Sequence, residues 1–419
     1  MNRVFSLTAL VLASALLLPP TAHADWYNLQ TTVSVPNMPA SVDLAWVDPA
    51  THRYYITDRT NAGIDVVNTA TNAFEGRILG FSGVRGSTAL NGPNGVLVIS
   101  ETQELWTGDG DSTTKVVDLR QGKVVNTIST GGKGRADELG YDPKDKVILI
   151  ANDKEDVPFL TFISATTKQV IGKVDMPEAD GGIEQPIYNP TDGMFYVTVP
   201  SNKVNANGEI AVLDPMTLKL VRTMALTATC DARGLALGPS QNLLVGCGNV
   251  GHTLIVNATS GQLINDITQV GGEDQVTYNP GDKRFYIGAS NHKVGGVATG
   301  AADPVLGVVD AVTNQWLMNI PTSSQGGKVA ADPGNNRVFV PMTGQGIGVF
   351  VFAPGATPPA PPALVPQAPA PPAGTGAAGG AAAPAALPNT GEEIPALPGL
   401  LGLGLMLAAA GLGLRRRAL

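Results

Sequence analysis

The chain has 419 residues, more than a single compact core of about 250–300 residues holds without splitting or repeating. Fifty glycines and 32 prolines show no fixed Gly-X-Y period, which excludes collagen, and 43% hydrophobic residues exclude wholesale disorder. A net charge of −8 argues against a nucleic-acid partner, and two cysteines with four histidines leave little for a zinc or iron–sulfur framework.

The first predicted element is a secretory signal over 1–24. Arg3 supplies a positive start, Phe5 to Leu18 an apolar stretch, and Pro19–Pro20 a break. Ala22-His23-Ala24 then fits a small-x-small cleavage pattern, so the cut is expected between Ala24 and Asp25. The apolar stretch falls short of the roughly 20 residues of a membrane helix. Export is the expectation.

Residues 25–352 repeat a unit of strand, turn, strand, loop, strand, turn, strand. A turn proline recurs at Pro49, Pro93, Pro143, Pro190, Pro239, Pro280 and Pro333, with gaps of 44, 50, 47, 49, 41 and 53 residues. Each is followed by an apolar, β-branched segment that reads as the unit's second strand: Tyr54–Thr57, Val96–Ile99, Val147–Ala151, Phe195–Val199, Leu243–Cys247, Phe285–Ala289 and Val338–Val340. Third strands are expected from Ile64–Val67 through Ile347–Phe352, and fourth strands only six times, from Phe74–Leu79 to Trp316–Ile320. The unmatched strand at Leu29–Val35 supplies the missing one. Seven units with that spacing predict an all-β, seven-bladed β-propeller closed by the N-terminal strand. Closure removes an exposed edge that would otherwise template aggregation.

Within this region, Tyr55-Ile56-Thr57-Asp58 followed by Ile64-Asp65-Val66-Val67-Asn68-Thr69-Ala70-Thr71-Asn72 resembles the YVTN-type β-propeller repeat. Phe195-Tyr196-Val197-Thr198-Val199 and Val308-Val309-Asp310-Ala311-Val312-Thr313-Asn314 echo it. The resemblance implies a propeller in a secreted or surface setting and no single chemistry.

The start of each innermost strand lines a propeller's central channel at one face. Six residues before each turn proline stand Asp43, Ser87, Asp137, Glu184, Arg233, Asp274 and Gly327; five before stand Leu44, Thr88, Glu138, Gln185, Gly234, Gln275 and Lys328. Strand alternation aims one of the two sets at the channel. Asp43, Asp137, Glu138, Glu184, Gln185, Asp274 and Gln275 form an oxygen-rich opening suited to Ca2+ or another divalent cation. Crowded carboxylates raise one another's pKa, a strain that a metal, Arg233 or Lys328 relieves. The structural alternative is that these side chains bond backbone groups between blades.

Lactone-hydrolysing propellers of the gluconolactonase type hold a divalent ion in this place, but no matching catalytic motif occurs here. Nor does a nucleophile elbow, a phosphate loop or a His-Glu-x-x-His pair. His292 reads as a solvated loop residue, and Asp109-Gly110-Asp111-Ser112 as a plain turn lacking calcium-loop spacing. Cys230 and Cys247 bracket a hairpin of the fifth unit and are expected to pair in an oxidising compartment. Insertions at Glu101–Thr114, Pro200–Glu209 and Ser290–Val305 are all read between second and third strands, on one face.

Residues 353–386 are almost entirely Ala, Pro and Gly, a composition that forms a disordered, extended stalk. The tail 387–419 begins with Leu387-Pro388-Asn389-Thr390-Gly391, continues through an uncharged span over 394–414, and ends in Arg415-Arg416-Arg417 and two further residues. That order resembles the LPxTG cell-wall sorting signal, which implies cleavage at Thr390–Gly391 and a sortase-like transpeptidase as partner. The span alone is long enough to anchor in a membrane, with its arginines on the cytoplasmic side. The expected function is an exported, surface-anchored, non-catalytic propeller binding a protein, glycan or small polar ligand. The alternative is a lactonase- or lyase-like enzyme using a divalent cation in the acidic channel.

Overall fold

A computed structural model of the chain describes residues 27–352. The signal 1–24, the stalk 353–386 and the sorting tail 387–419 lie outside the described residues. Among those described, no helix is long and apolar enough to cross a membrane.

Seven four-stranded antiparallel sheets follow one another along the chain, and their innermost strands neighbour in sequence order around a ring. Six sheets are simple meanders. The seventh takes its three inner strands from Ala330–Asp332, Arg337–Met342 and Gly346–Phe352, and its outermost strand from Tyr27–Val33. The two ends pair antiparallel, Thr31 opposite Val349 and Val33 opposite Ile347, so the ring closes as the strand count required.

Burial explains the composition of each strand. Second and third strands are sandwiched between neighbouring blades and read as continuous apolar runs: every residue of Val147–Asn152 is buried, and all but the last of Phe159–Ser164. The outer strands face solvent on one side and alternate, as in Lys123–Ser129. Large aromatics fill the gaps between sheets. Tyr54 of the first blade stacks on Phe339 of the seventh at 5.2 Å, and Phe162 of the third meets Phe195 of the fourth edge-on at 6.3 Å.

The structure corrects the second blade. Val96–Ile99 is its innermost strand, not its second; the second is Glu104–Asp109, inside the stretch read as an insertion. The turn between them is Ser100–Gln103 and has no proline, while Pro93 precedes the innermost strand. A conformational mark common to all seven blades shows the register. The residue just before each second strand has positive φ: His52, Gln103, Lys146, Gly193, Gln241, Lys283 and Asn336. Counted from Ser100, the channel position of the second blade is Asn94, not Ser87; Ser87 instead caps a short 3-10 turn over Thr88–Leu90 in the loop.

Cys230 and Cys247 are disulfide-bonded, with Cα atoms 4.6 Å apart and both side chains buried. The bond ties the entry of the fifth blade to the end of its second strand.

Candidate functional site

In a four-stranded meander the loops between second and third strands emerge at the same end as the crossings from one blade to the next. The loops 200–208 and 290–304 meet those crossings directly. Lys203 donates its backbone N–H to Glu178 at 2.9 Å, and Asn291 donates to Gly272 at 3.0 Å. Two of the three expected insertions therefore share one face. The channel opens on that face.

Its mouth is a cavity of about 280 Å³ lined by Val42, Asp43, Arg59, Arg135, Asp137, Glu138, Lys154, Glu184, Arg233, Asp274 and Lys328. Backbone bonds fix the acids: Asp137 donates its N–H to Ala151 at 2.8 Å, and Glu184 to Thr198 at 2.9 Å. In two blades a bulge aims the side chain. The register between first and second strands slips across Val42–Ala45, which carries Asp43, and across Ala232–Leu235, which carries Arg233. Gly95 lets the second blade approach the third, since a Cβ there would lie 2.5 Å from the Glu138 Cα.

The six-back set therefore supplies five of the eleven lining residues, with Glu138 and Lys328 from the other set. Gln185 and Gln275 serve the backbone instead. Gln275 Oε1 accepts from Ala45 N–H at 3.0 Å and Val329 N–H at 3.2 Å, and its Nε2 donates to Ala45 O at 2.7 Å, which bridges the first and seventh blades. Gln185 Oε1 accepts from Leu235 N–H at 3.2 Å across to the fifth blade.

Most of the acids have cationic partners within the chain. Arg59 holds Asp43 at 2.5 Å and also donates to Asn94 Oδ1, while Lys328 pairs with Asp274 and lies 3.3 Å from Asp43. Arg135 reaches Asp137 at 2.6 Å and Asp153 at 2.9 Å; Lys154 takes Asp153 at 2.7 Å and Arg233 takes Asp231 at 2.8 Å. Five cations thus meet five aspartates, and Glu138 and Glu184 are left over. Among the described residues, no three His, Cys, Asp or Glu side chains come together as a group able to hold a metal ion. The oxygen-rich opening expected for Ca2+ is threaded with guanidinium and ammonium groups.

The surplus negative charge sits on the third and fourth blades and shows in the titration. Burial, then the neighbouring Glu184 and Asp137, pushes the Glu138 carboxyl well above its usual range. Burial, then Asp153 and Asp274, pushes Glu184 up to about 7. Asp137 also rises, because burial outweighs Arg135. Across the mouth the opposite holds: burial works to raise Asp274, yet Lys328 and Arg233 keep it below the usual carboxylate range. Glu138 is 5% exposed, and its Oε2 has no hydrogen-bond partner.

Sequence reasoning missed Arg59, Arg135 and Lys154, because it searched only the innermost strands. Arg59 and Lys154 stand one and two residues past the second strands of their blades, each directly after an aspartate, and that Asp-to-cation step was the available signal. His292 is buried rather than solvated, with its Nδ1 unpartnered. Asp109 closes onto Lys115 and accepts from Ser82 N–H at 3.1 Å, so that segment is an internally satisfied turn.

A second cavity of about 450 Å³ is lined by the innermost strands, and its character is different. Trp46, Tyr141, Ile187, Tyr188, Leu237 and Tyr278 line it, three of them the tyrosines two residues before a turn proline. The channel is charged at the insertion face and aromatic further along.

No family model and no curated protein matches the chain. Solved structures do. A chain of the crystal structure of the mitotic checkpoint complex has a TM-score of 0.60 at 13% identity, covering 83% of this chain and 99% of its own length. A chain of Kuenenia stuttgartiensis hydrazine synthase has a TM-score of 0.58 at 11% identity, covering 77% and 99%. These are likenesses of fold. The propeller is common ground, and the YVTN-type likeness remains one of residues.

Proposed function

We propose that the chain is an exported, surface-tethered β-propeller that binds a small polar ligand at its charged mouth without transforming it. One observation carries the reading: an open cavity whose five lining cations pair with five aspartates, three in the lining and Asp153 and Asp231 outside it, while two lining glutamates remain unmatched. Rigid scaffolds commonly place recognition on such loop faces. The alternative, a lactonase- or lyase-like enzyme working through a divalent cation, is less well supported, because three of the carboxylates it would use, Asp43, Asp137 and Asp274, already hold Arg or Lys. The lining residues include no serine, cysteine, histidine or tyrosine to act as nucleophile or base beside them.

The address rests on sequence pattern: the signal over 1–24, the Ala/Pro stalk, and the LPxTG-like tail with its apolar span. Expression with and without residues 387–419 tests it. The full chain is expected in the envelope fraction and the shortened chain in the medium; both in the cytoplasm would overturn the address. For the mouth, a thermal-shift panel of amines, sugars and organic acids is expected to return a hit that Arg135→Ala, a change in the lining, abolishes. A hit indifferent to every mouth substitution would place the ligand elsewhere.

A further inference from the structure

We propose that Glu138 and Glu184 form a seat for one organic cation, a primary ammonium or guanidinium group carried by a small polar molecule. The inference rests on the mouth being a ligand site and names the chemistry of what it takes.

The two glutamates come from adjacent blades, line the same cavity and make no ion pair with any Lys or Arg of the described residues. Nearby cations are committed elsewhere: Arg135 to Asp137 and Asp153, Arg233 to Asp231. Glu138 is buried and its Oε2 is unpartnered, although a buried acceptor without a donor costs stability. A donor brought by a ligand satisfies it. An ammonium offers three donors and a guanidinium five, and both form strong charge-assisted bonds with carboxylates.

Calcium fits less well, because it takes six to eight oxygens. Here the two carboxylates supply only four. A neutral sugar would accept and donate hydrogen bonds but leave the surplus charge unmatched. The cavity, at about 280 Å³, lies at the small end of ordinary ligand pockets and suits a molecule of amino-acid or diamine size.

The charged groups around the seat are Asp43, Asp137, Asp274, Arg59, Arg135, Lys154, Arg233 and Lys328 of the same cavity, with Asp153 beside Glu184. Burial and the acids closest to the pair favour a proton on it when empty; Glu184 titrates at about 7. An entering cation displaces that proton, so binding at neutral pH releases it to the buffer.

The test is isothermal titration calorimetry on the full chain with methylammonium, guanidinium and agmatine, and with glucose, acetate and calcium chloride as comparators. Each titration is run in two buffers of different ionisation enthalpy. The expected result is saturable binding of at least one of the three cations, with heat that depends on the buffer because protons leave. Glu138→Gln and Glu184→Gln are each expected to weaken it roughly tenfold or more. Glu101→Gln, on the exposed surface away from the mouth, leaves it unchanged. Glu184 is the less buried of the pair and provides the second variant if Glu138→Gln disturbs folding.

Binding of a cation with buffer-independent heat and unaltered affinity in both variants overturns the seat. Binding of glucose or acetate alone, lost on Arg135→Ala, removes the cation seat and leaves the mouth as a ligand site. Calcium binding in preference to all three organic cations also overturns the proposal. If none of the six probes binds at millimolar concentration, both the seat and the mouth reading fall.

Discussion

Replacing Glu273 by Gln is expected to stabilise the protein at alkaline pH and to change little in acid. Glu273 lies in the crossing into the sixth blade, fully buried. Its Oε1 accepts from Thr253 Oγ1 at 2.7 Å and its Oε2 has no partner. Burial pushes its pKa from 4.5 up to about 8. The folded state therefore keeps a proton that the unfolded chain has already lost at neutral pH. Stability from this group is fully present below the unfolded pKa and falls as pH rises towards the folded value. At about 1.4 kcal/mol per pH unit, the loss from 4.5 to about 8 is on the order of 5 kcal/mol. Glutamine carries the uncharged form at every pH and escapes it. Denaturant unfolding of both proteins across this range is expected to give curves that meet in acid, diverge by about 1.4 kcal/mol per unit, and run parallel above about pH 8. Curves parallel throughout would mean that Glu273 ionises normally in the fold, and the reasoning from burial would fail.

Replacing Cys230 and Cys247 together by Ser is expected to cost about 3 kcal/mol, the chain-entropy value for a loop of this size, read as a lower unfolding midpoint. An unchanged midpoint would show that the rest of the fifth blade already constrains the hairpin. Val33 is 4% exposed in the closing strand, opposite Ile347 and within the core that joins the first and seventh blades. Val33→Asp is expected to open the ring and expose the Gly346–Phe352 edge, giving oligomers on size exclusion. A monomer of wild-type stability would refute closure through that strand.

The propeller was legible because its signal is repeated. Strand spacing recurs seven times, and the count left one fourth strand short and one N-terminal strand over. The error in the second blade has a local cause. Pro93 mimics the turn proline by position, while the real turn at Ser100–Gln103 uses left-handed Gln103 and no proline. A reading keyed to proline slipped there, and the channel residue Asn94 was lost with it. The mouth was half legible. The acids lie at or just before the start of the innermost strands, at a fixed distance from each turn, so counting found them. Arg59, Arg135 and Lys154 reach the same cavity from strand ends and crossings, and only tertiary placement brings them in. That is why the sequence suggested a metal where the fold supplies cations of its own.

Glu138 bears most directly on whether the mouth serves the fold or a ligand. Gln185 and Gln275 occupy the corresponding position of their blades, five residues before the turn proline, and both bond backbone of other blades. An amide there is sufficient for construction. Glu138 at the same position leaves Oε2 unpartnered, and its carboxyl is pushed up by burial and by Glu184. Stability alone gives no reason for a carboxylate in that place. Glu138→Gln is therefore expected to stabilise the ligand-free protein by roughly 1–3 kcal/mol at neutral pH, in the same variant that weakens cation binding. Such an exchange of stability for affinity marks a residue placed for a ligand. Loss of stability together with binding would instead make Glu138 a structural member of the ring, and the surplus charge would need another account.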